Sequence, residues 1–375
     1  MTKSGTSVAV VGGGPVGMAL ALALHQQGIG ATVLEARARE AIKHDVRVLA
    51  LSFGSQQILE RLGVWESLGL TNAATPIQTI HVSRRGNLGR ARMRADELGV
   101  PALGYVLPAA NLITALDAAL RQAEIPYHDH HKISCVEDVA AMAPASTLTV
   151  WAEGSVSDGA GQFRDYNQAA ILCTAMTKVA HDHVAWERFT ADGPVALLPL
   201  GNDYAVVLTC AAAEAASIVA QDDATFTKLL QTRFGQRHQF VSVGPRASYP
   251  LTLRWREEVI AERQVWLGNA AQTLHPVAGQ GFNLALRDVW ELTRHLSALS
   301  REKDLGAQSV LRAYAQSRNL DRRSVIGFTN GLIDVFGSDT APLAHARGAG
   351  LVALDLLPPL RNFLARRMMF GSRGG

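Results

Sequence analysis

Ser7-Val-Ala-Val-Val-Gly-Gly-Gly-Pro-Val-Gly17 opens the chain with a short apolar run and a glycine-rich turn. An Ala/Leu-rich stretch to about Gln27 follows, then a second run, Ala31-Thr-Val-Leu-Glu35. The pattern reads as strand, tight turn, helix, strand, with G-x-G-x-x-G on Gly12, Gly14 and Gly17 and an acid about 20 residues on. Gly12 makes the turn, Gly14 lets the backbone approach a pyrophosphate, and Gly17 lets helix and strand pack closely. The pyrophosphate would cap the helix N-terminus, and Glu35 can accept hydrogen bonds from a ribose. This unit predicts a Rossmann-like α/β domain that binds a dinucleotide.

Far along the chain a second glycine-rich stretch has the same logic. Gly268-Asn-Ala-Ala-Gln-Thr-Leu-His-Pro-Val-Ala-Gly-Gln-Gly-Phe-Asn-Leu-Ala-Leu-Arg-Asp288 follows the strand-like run Val265-Trp266-Leu267. Residues from Phe282 to Leu299 read as a helix, so Gly279-Gln280-Gly281 sits at a helix start. Bare backbone N–H groups and the positive end of the helix suit an anion, or a ring that becomes anionic on reduction.

The bulk composition narrows the class. The chain has 375 residues, 48% hydrophobic and 18% charged, with a net charge of +3. That supports two or three domains with real cores and gives no sign of nucleic acid as a partner. Cys135, Cys173 and Cys210 fall singly, as reduced thiols of a cytosolic protein do. The glycines and Pro15 split the N-terminal apolar stretch, which argues against a signal peptide. No run reaches the roughly 18 apolar residues a membrane span needs. The expected location is cytoplasmic, with peripheral contact at the inner face of the membrane as an added option.

Between the two glycine motifs, Asp45-Val-Arg-Val-Leu-Ala-Leu-Ser52 leads into a helix from Ser55 to Leu62, and Arg47 could fold back on the phosphates. Residues 76–100 read as strands of a second layer, and Asn111–Gln122 as a helix. Ile125-Pro-Tyr-His and Lys132-Ile-Ser-Cys-Val136 read as paired strands. Residues 144–162 turn small and polar. Strand-like runs follow at Asp165–Leu172, Pro194–Leu200, Tyr204–Leu208 and Tyr249–Leu251, with a helix near Asp223–Arg233. The histidine clusters His128-Asp-His-His131 and His181-Asp-His183 lack further ligands at metal spacing, so no metal is expected. The tail reads as helices from Ser309 to Phe328 and from Leu351 to Met369. Its stretch Leu360–Phe370 mixes apolar bulk with cations and could touch a membrane surface or dock on the protein itself.

The pairing of the N-terminal GxGxxG with the late G-N-A-A…P-x-x-G-Q-G-x-N resembles the single-component FAD-dependent aromatic hydroxylases. Asp45–Ser52, Asp165–Ile171, Glu187–Pro194 with Ala196–Pro199, and Gly268–Asp288 resemble the ubiquinone-biosynthesis hydroxylases among them. Gly-Asn-Ala-Ala-Gln-Thr-Leu-His-Pro is most similar to the 2-polyprenyl-6-methoxyphenol hydroxylase branch. The similarity covers nearly the whole chain.

That resemblance implies a p-hydroxybenzoate-hydroxylase-like fold. Residues 1–75, 101–160 and 255–300 would form a discontinuous FAD-binding domain, 76–100 and 161–254 an inserted β-rich substrate domain, and 301–375 a C-terminal helical region. It implies one FAD, transient NAD(P)H and O₂. A flavin C4a-hydroperoxide would transfer oxygen to a polyprenyl phenol in ubiquinone biosynthesis. Other enzymes of that pathway become candidate partners. Gly279, Gln280 and Gly281 would face the flavin pyrimidine edge and stabilise its reduced form. Pro276 would sit beside the reacting carbon, and Asn283 also at the flavin. Pro15, Val136 and Asn269 join Gly12, Gly14, Gly17, Glu35 and Arg47 as cofactor contacts. His275 could hydrogen-bond near the site or simply be a histidine placed by the core.

Three positions depart from the family pattern. Asn269 stands where many relatives carry aspartate. A neutral hydrogen bond is worth about 1 kcal/mol and a charged one roughly 1.5–3, so the exchange costs about tenfold in FAD affinity. Ala152-Glu153-Gly154 stands where relatives show Ala-Asp-Gly with a following Ser and Arg, in a region that meets FAD and reductant. Asn111 stands where broader relatives place arginine. Two alternatives therefore stay open: a flavin-holding assembly subunit with weak NAD(P)H turnover, and a hydroxylase of a soluble phenol.

Overall fold

The computed structural model describes residues 7–86, 89–274, 279–299, 304–337 and 341–373. The first unit is strand β1 (Ser7–Val11), helix α1 (Pro15–Gln26) and strand β2 (Gly30–Leu34). β1 and β2 pair in parallel, Ser7 opposite Gly30 and Val11 opposite Leu34. Both strands are buried on two faces, hence their continuous apolar runs rather than alternation. α1 is packed all round: every residue from Met18 to Leu24 is at most 4% exposed.

The chain then lays down β3 (Val48–Ser52), α2 (Phe53–Arg61), α3 (Leu70–Ala73), β4 (Thr75–Ile77), β5 (Thr79–Arg84), β6 (Arg90–Arg94), α4 (Ala95–Leu98) and β7 (Gly104–Pro108). β3, β7 and β4 form a small antiparallel sheet, order β3-β7-β4. After α5 (Ala109–Gln122) come β8 (Tyr127–His128), α6 (Val136–Met142) and β9 (Ser146–Trp151).

Two sequence expectations fail here. Lys132–Val136 is not a strand: residues 132–135 are irregular and α6 begins at Val136. Asp138 accepts hydrogen bonds from the Ser134 and Cys135 amides, an N-terminal capping arrangement that turns the chain into a helix. The small, polar stretch 144–162 also conceals β9, a central strand of the parallel sheet. Leu148, Thr149 and Val150 are its buried residues, and Val150 pairs with Val10 and Val265.

A β-rich block follows: β10 (Gln162–Thr177), β11 (Val184–Thr190), β12 (Gly193–Leu200), β13 (Asp203–Ala211), α7 (Ala215–Val219), α8 (Asp223–Phe234), β14 (Phe240–Val243) and β15 (Ala247–Trp255). β16 (Ile260–Ala261) and β17 (Gln264–Trp266) return to the parallel sheet, and β18 (Gln272–Thr273) pairs with β15. The parallel sheet has the order β16-β17-β9-β1-β2-β8, antiparallel only at β16. The larger mixed sheet runs β18-β15-β10-β13-β12-β11-β5-β6, with β14 on β10.

The last elements are α9 (Gln280–Ser297), α10 (Gln308–Gly337), α11 (Ala341–Leu356) and α12 (Pro358–Phe370). The single helix expected over Leu351–Met369 is thus two. Pro358 and Pro359 stop the first at Leu356 and start the second, proline being tolerated in a first turn and disfavoured inside a helix. The main core joins α1, α5 and α9 to the parallel sheet through residues such as Leu20, Leu116, Val150 and Leu286. Among the described residues, no helix is long and apolar enough to cross a membrane.

Candidate active site

The C-terminal ends of β1, β2, β9 and β17 meet where a doubly wound sheet leaves its crevice. The GxGxxG turn fills one side, and its glycines divide into two kinds. Gly12 has φ +113°, and a Cβ there would lie 2.6 Å from the Glu153 Cβ. A Cβ on Gly13 would strike the Tyr127 hydroxyl at 2.0 Å, and one on Gly17 the Gly12 carbonyl at 1.9 Å. A Cβ on Gly14 would meet no atom within 4 Å. Three glycines are therefore closed against protein, and one faces open space at the helix start.

Glu35 locks this turn. Its carboxylate is 2% exposed and accepts from the Gly13 amide (2.7 Å), the Arg37 amide (2.9 Å) and Arg37 Nε (3.1 Å). Below Gly13, the Tyr127 hydroxyl is buried with no partner among the described residues, and burial, then the Glu35 charge, pushes its pKa up. Arg39 lies over the Tyr127 ring at 4.3 Å and pairs with Asp117.

The middle stretch stands directly beside this turn. The Ala152 amide donates to the Val11 carbonyl (2.7 Å), which carries Glu153 to Gly12. Burial first, and then the Glu35 charge, raises the Glu153 carboxyl to about 6, with Arg37 opposing. Two carboxylates thus face each other at the mouth of the dinucleotide fold; the family resemblance set Ala152-Glu153-Gly154 in a region that meets FAD, and the pairing with Glu35 is what it did not disclose.

The second helix start is held from beneath. Gly279 caps α9 with φ +58°, and its Cβ would lie 3.2 Å from the Ala50 Cβ of β3. Asn283 fastens the two. Its Oδ1 accepts from the Ser52 amide (2.8 Å) and Ser55 Oγ (2.7 Å), and its Nδ2 donates to the carbonyls of Ala50 (2.9 Å) and Gly279 (2.7 Å). All four hydrogen-bonding sites of that amide are engaged within the protein. The side chain therefore places the helix start, and only its backbone remains to meet a ligand. A Cβ on Gly281 would meet nothing within 4 Å.

The other expected contacts scatter around these two starts. Gly268 (φ +56°) brings the late motif against α1, its Cβ position 3.3 Å from Val16, and the Asn269 side chain is exposed at that junction. Pro15 is the first residue of α1. Arg47 is half-exposed and chelated by Asp45, with Nη2 at 2.5 Å from Oδ2. Val136 opens α6 and is 38% exposed. His275 and Pro276 lie outside the described residues.

Sequence reasoning also missed what Arg287 and Asp288, at the end of the late motif, are for. Arg318 joins Asp288 (2.6 Å) and Asp321 (2.7 Å), and Arg287 joins Asp321 (2.9 Å). Gln272 bridges Asp288 and Arg322. This buried network clamps α9 to α10, and its sequence signal is a charge pair set among the leucines, alanine and valine of α9.

A flavin dinucleotide fits this arrangement on two structural grounds. Among the described residues, neither helix start has a side-chain cap or an acid in its first turn, so the positive end of each helix favours an anion. The open Cβ positions at Gly14 and Gly281 leave room against bare backbone at each. Between β3, β5, β6, α9 and α12 lies a recess of about 70 Å³, lined by residues that include Leu51, Ile80, Met93, Met368 and Met369. Gln280 and Asn283 form its wall at α9, and none of its described lining residues is charged.

The chain matches the FAD binding domain family over residues 5–150 and 153–329. It belongs to that family. It is 33% identical over 391 residues to the ubiquinone hydroxylase UbiL of Rhodospirillum rubrum, covering 96% of this chain and 89% of that protein. It is 30% identical over 383 residues to the 3-demethoxyubiquinol 3-hydroxylase of Escherichia coli, covering 95% and 96%. In fold it is similar to the p-nitrophenol 4-monooxygenase PnpA of Pseudomonas putida, at TM-score 0.74 and 18% identity over 98% of this chain and 99% of that one. The flavoprotein is an FAD-dependent monooxygenase with the p-hydroxybenzoate-hydroxylase-like α/β architecture. Molecular oxygen, a reduced nicotinamide and an aromatic substrate are the reactants that membership implies.

Proposed function

We propose that this monooxygenase hydroxylates the ring of a polyprenyl phenol in ubiquinone biosynthesis, working at the surface of the membrane that holds such a substrate. The observation that carries this reading is the uncharged recess against the start of α9. An aromatic acid would call for an arginine there, whereas apolar walls suit a phenol with a hydrocarbon tail. Met93, Met368 and Met369 line it, and unbranched thioethers re-pack readily to admit a longer chain.

Bound FAD, once reduced by NAD(P)H, supplies the oxygen chemistry that no side chain provides. The protein's own groups do the holding and orienting. The α1 amides beyond Gly14 hold the pyrophosphate, and Glu35 fixes the turn that presents them while keeping acceptor capacity toward the ribose. Asn269 would hydrogen-bond the ribityl chain. The positive start of α9 at Gly279–Gly281, held in place by Asn283, would favour negative charge on the bound ring. The apolar walls exclude water from the phenol.

The test is NADPH consumption and oxygenated product from the FAD-loaded protein under air, with and without a short-tailed 6-methoxyphenol. Phenol-stimulated consumption with a hydroxylated product supports the reading. Tight FAD with no consumption and co-purifying biosynthetic enzymes would replace it with an assembly role, for which Glu153 beside Glu35 is the structural motive.

A further inference from the structure

On the face of the large sheet away from the recess, β5 and β11 run in parallel, with His81 opposite Trp186 and Ser83 opposite Arg188. β6 closes the edge, setting Arg92 against His81 and Arg90 against Ser83. Alternation along each strand gathers these residues on one face, while Ile80, Val82 and Met93 pack on the other. Arg237, from the loop after α8, lies 5.2 Å from the Trp186 ring centre, and Arg188 lies 5.6 Å from that of Phe234. Together they surround a recess of about 560 Å³, within the size range of ligand sites. Arg84, Arg90, Arg188 and Arg237 line it, and Asp355 is the one carboxylate among its described lining residues.

Several buried donors in this recess lack an acceptor on another described residue. His81 is 3% exposed, and its Nε2 lies 3.3 Å from Arg237 Nη1. A guanidinium only donates, so Nε2 accepts and the ring proton sits on Nδ1. Burial, then the charges of Arg237 and Arg90, lower this imidazole to about 4 and keep it neutral. The Ser83 hydroxyl and Arg188 Nε are buried with no hydrogen-bond partner among the described residues, and the His81 Nδ1 has none beyond its own residue's backbone. Burial first, and then the neighbouring Arg237 and Arg85 charges, hold the Arg188 guanidinium below its usual range. An oxyanion would satisfy the donors and relieve the crowded positive charge, and phosphate matches the fork of arginine.

The rim of the recess says which phosphate. Val352 and Leu356 of α11 line it, and the corner into α12 continues outward as Leu357, Leu360 and Phe363. These five side chains are between 39% and 71% exposed, at the junction of two helices otherwise docked by Arg361, Ala365 and Met369. An arginine pocket edged by exposed leucine and phenylalanine fits an amphiphile.

We propose that this recess seats the phosphate headgroup of an anionic phospholipid, with the α11–α12 corner entering the acyl boundary. The site deepens the polyprenyl-phenol reading, because it states where the protein meets the membrane that carries such a substrate. It is measured without substrate, so the two stand or fall separately.

The experiment is flotation of the FAD-loaded full chain with vesicles of phosphatidylcholine alone or mixed with phosphatidylglycerol. Preferential binding to the mixed vesicles is expected. The double variant Arg188→Gln/Arg237→Gln should bind them about tenfold to thirtyfold more weakly, from roughly one decade or less per surface arginine. Leu356→Ser, at a 71% exposed position, should weaken binding with FAD content intact, which keeps the test decisive if the double variant fails to fold. Arg312→Gln, exposed on α10, should change nothing. Equal binding to both vesicle types, or wild-type binding by the folded double variant, overturns the proposal. So does calorimetric binding of inorganic pyrophosphate or NADPH that the double variant loses while vesicle binding persists, since the phosphate would then come from a soluble compound. Turnover of a water-soluble short-tailed phenol should be unchanged in all three variants.

Discussion

The molecule presents two glycine-rich helix starts, and they differ in what shapes them. At α1 steric closure shapes the turn, with Gly12, Gly13 and Gly17 closed against Glu153, Tyr127 and the backbone of Gly12, and Glu35 adds a hydrogen bond from the Gly13 amide. At α9 a side chain does that work, with Asn283 bonded to β3 and to Gly279 while Gly281 stays open. Each keeps one glycine facing empty space, Gly14 in the first and Gly281 in the second. The difference teaches that a cradle for a flat, charged ligand can be preorganised by local sterics or by a long-range polar staple. The two carry different mutational risks.

The largest effect should fall on the steric start. Gly17→Ala drives a methyl onto the Gly12 carbonyl at 1.9 Å, so β1 and α1 must separate. Loss of more than about 3 kcal/mol of stability and absence of flavin are expected. Thermal melting and the visible absorbance of the purified protein read both, and a variant that keeps its flavin would refute the steric account.

The stapled start should be next. Asn283→Ala strands the Ser52 amide and two carbonyls in a buried site, at a cost of about 2–4 kcal/mol in chemical denaturation. Asn283→Asp keeps the two acceptor contacts but turns the donor side into an oxygen facing two carbonyls, so it should not rescue. If it did, the donor half of the staple would be idle.

A smaller effect belongs to Glu153, which faces Glu35 at the first start. Because its folded-state pKa is raised, the protonated form is the one the fold favours. This group's contribution to stability is full below about pH 4.5 and is lost as pH rises through about 6. Glu153→Gln should raise stability by about 1 kcal/mol at neutral pH, after allowance for partial exposure, and flatten melting temperature across that window. An unchanged pH profile would mean the two carboxylates do not sense each other.

The smallest effect on the fold is expected where space is open. Gly14→Ala, at φ −72°, and Gly281→Ala each place a methyl where, beyond the adjoining backbone, no described residue lies within 4 Å. Both apo-proteins should melt within about 0.5 kcal/mol of the parent. Gly14→Ala should nevertheless weaken FAD binding in a fluorescence titration, and Gly281→Ala should slow flavin reduction. Normal behaviour in both assays would move the cofactor away from these helix starts.

What could be learned from the chain alone was what is written locally. Three glycines in a fixed spacing, an Ala/Leu helix and an acid at the end of β2 specify a βαβ unit, because each depends on backbone conformations a few residues wide. The late glycine pair before α9 is equally local, and the two together led to the family. Folding decided the rest by joining segments that share no pattern. β9 fills the sheet from a polar-looking stretch, Glu153 arrives beside Glu35, Asn283 reaches 231 positions back to Ser52, and Arg287 and Asp288 turn to α10. Such contacts follow from packing and from the need to pair buried charge, which are properties of the assembled interior and leave no trace in any short window of residues.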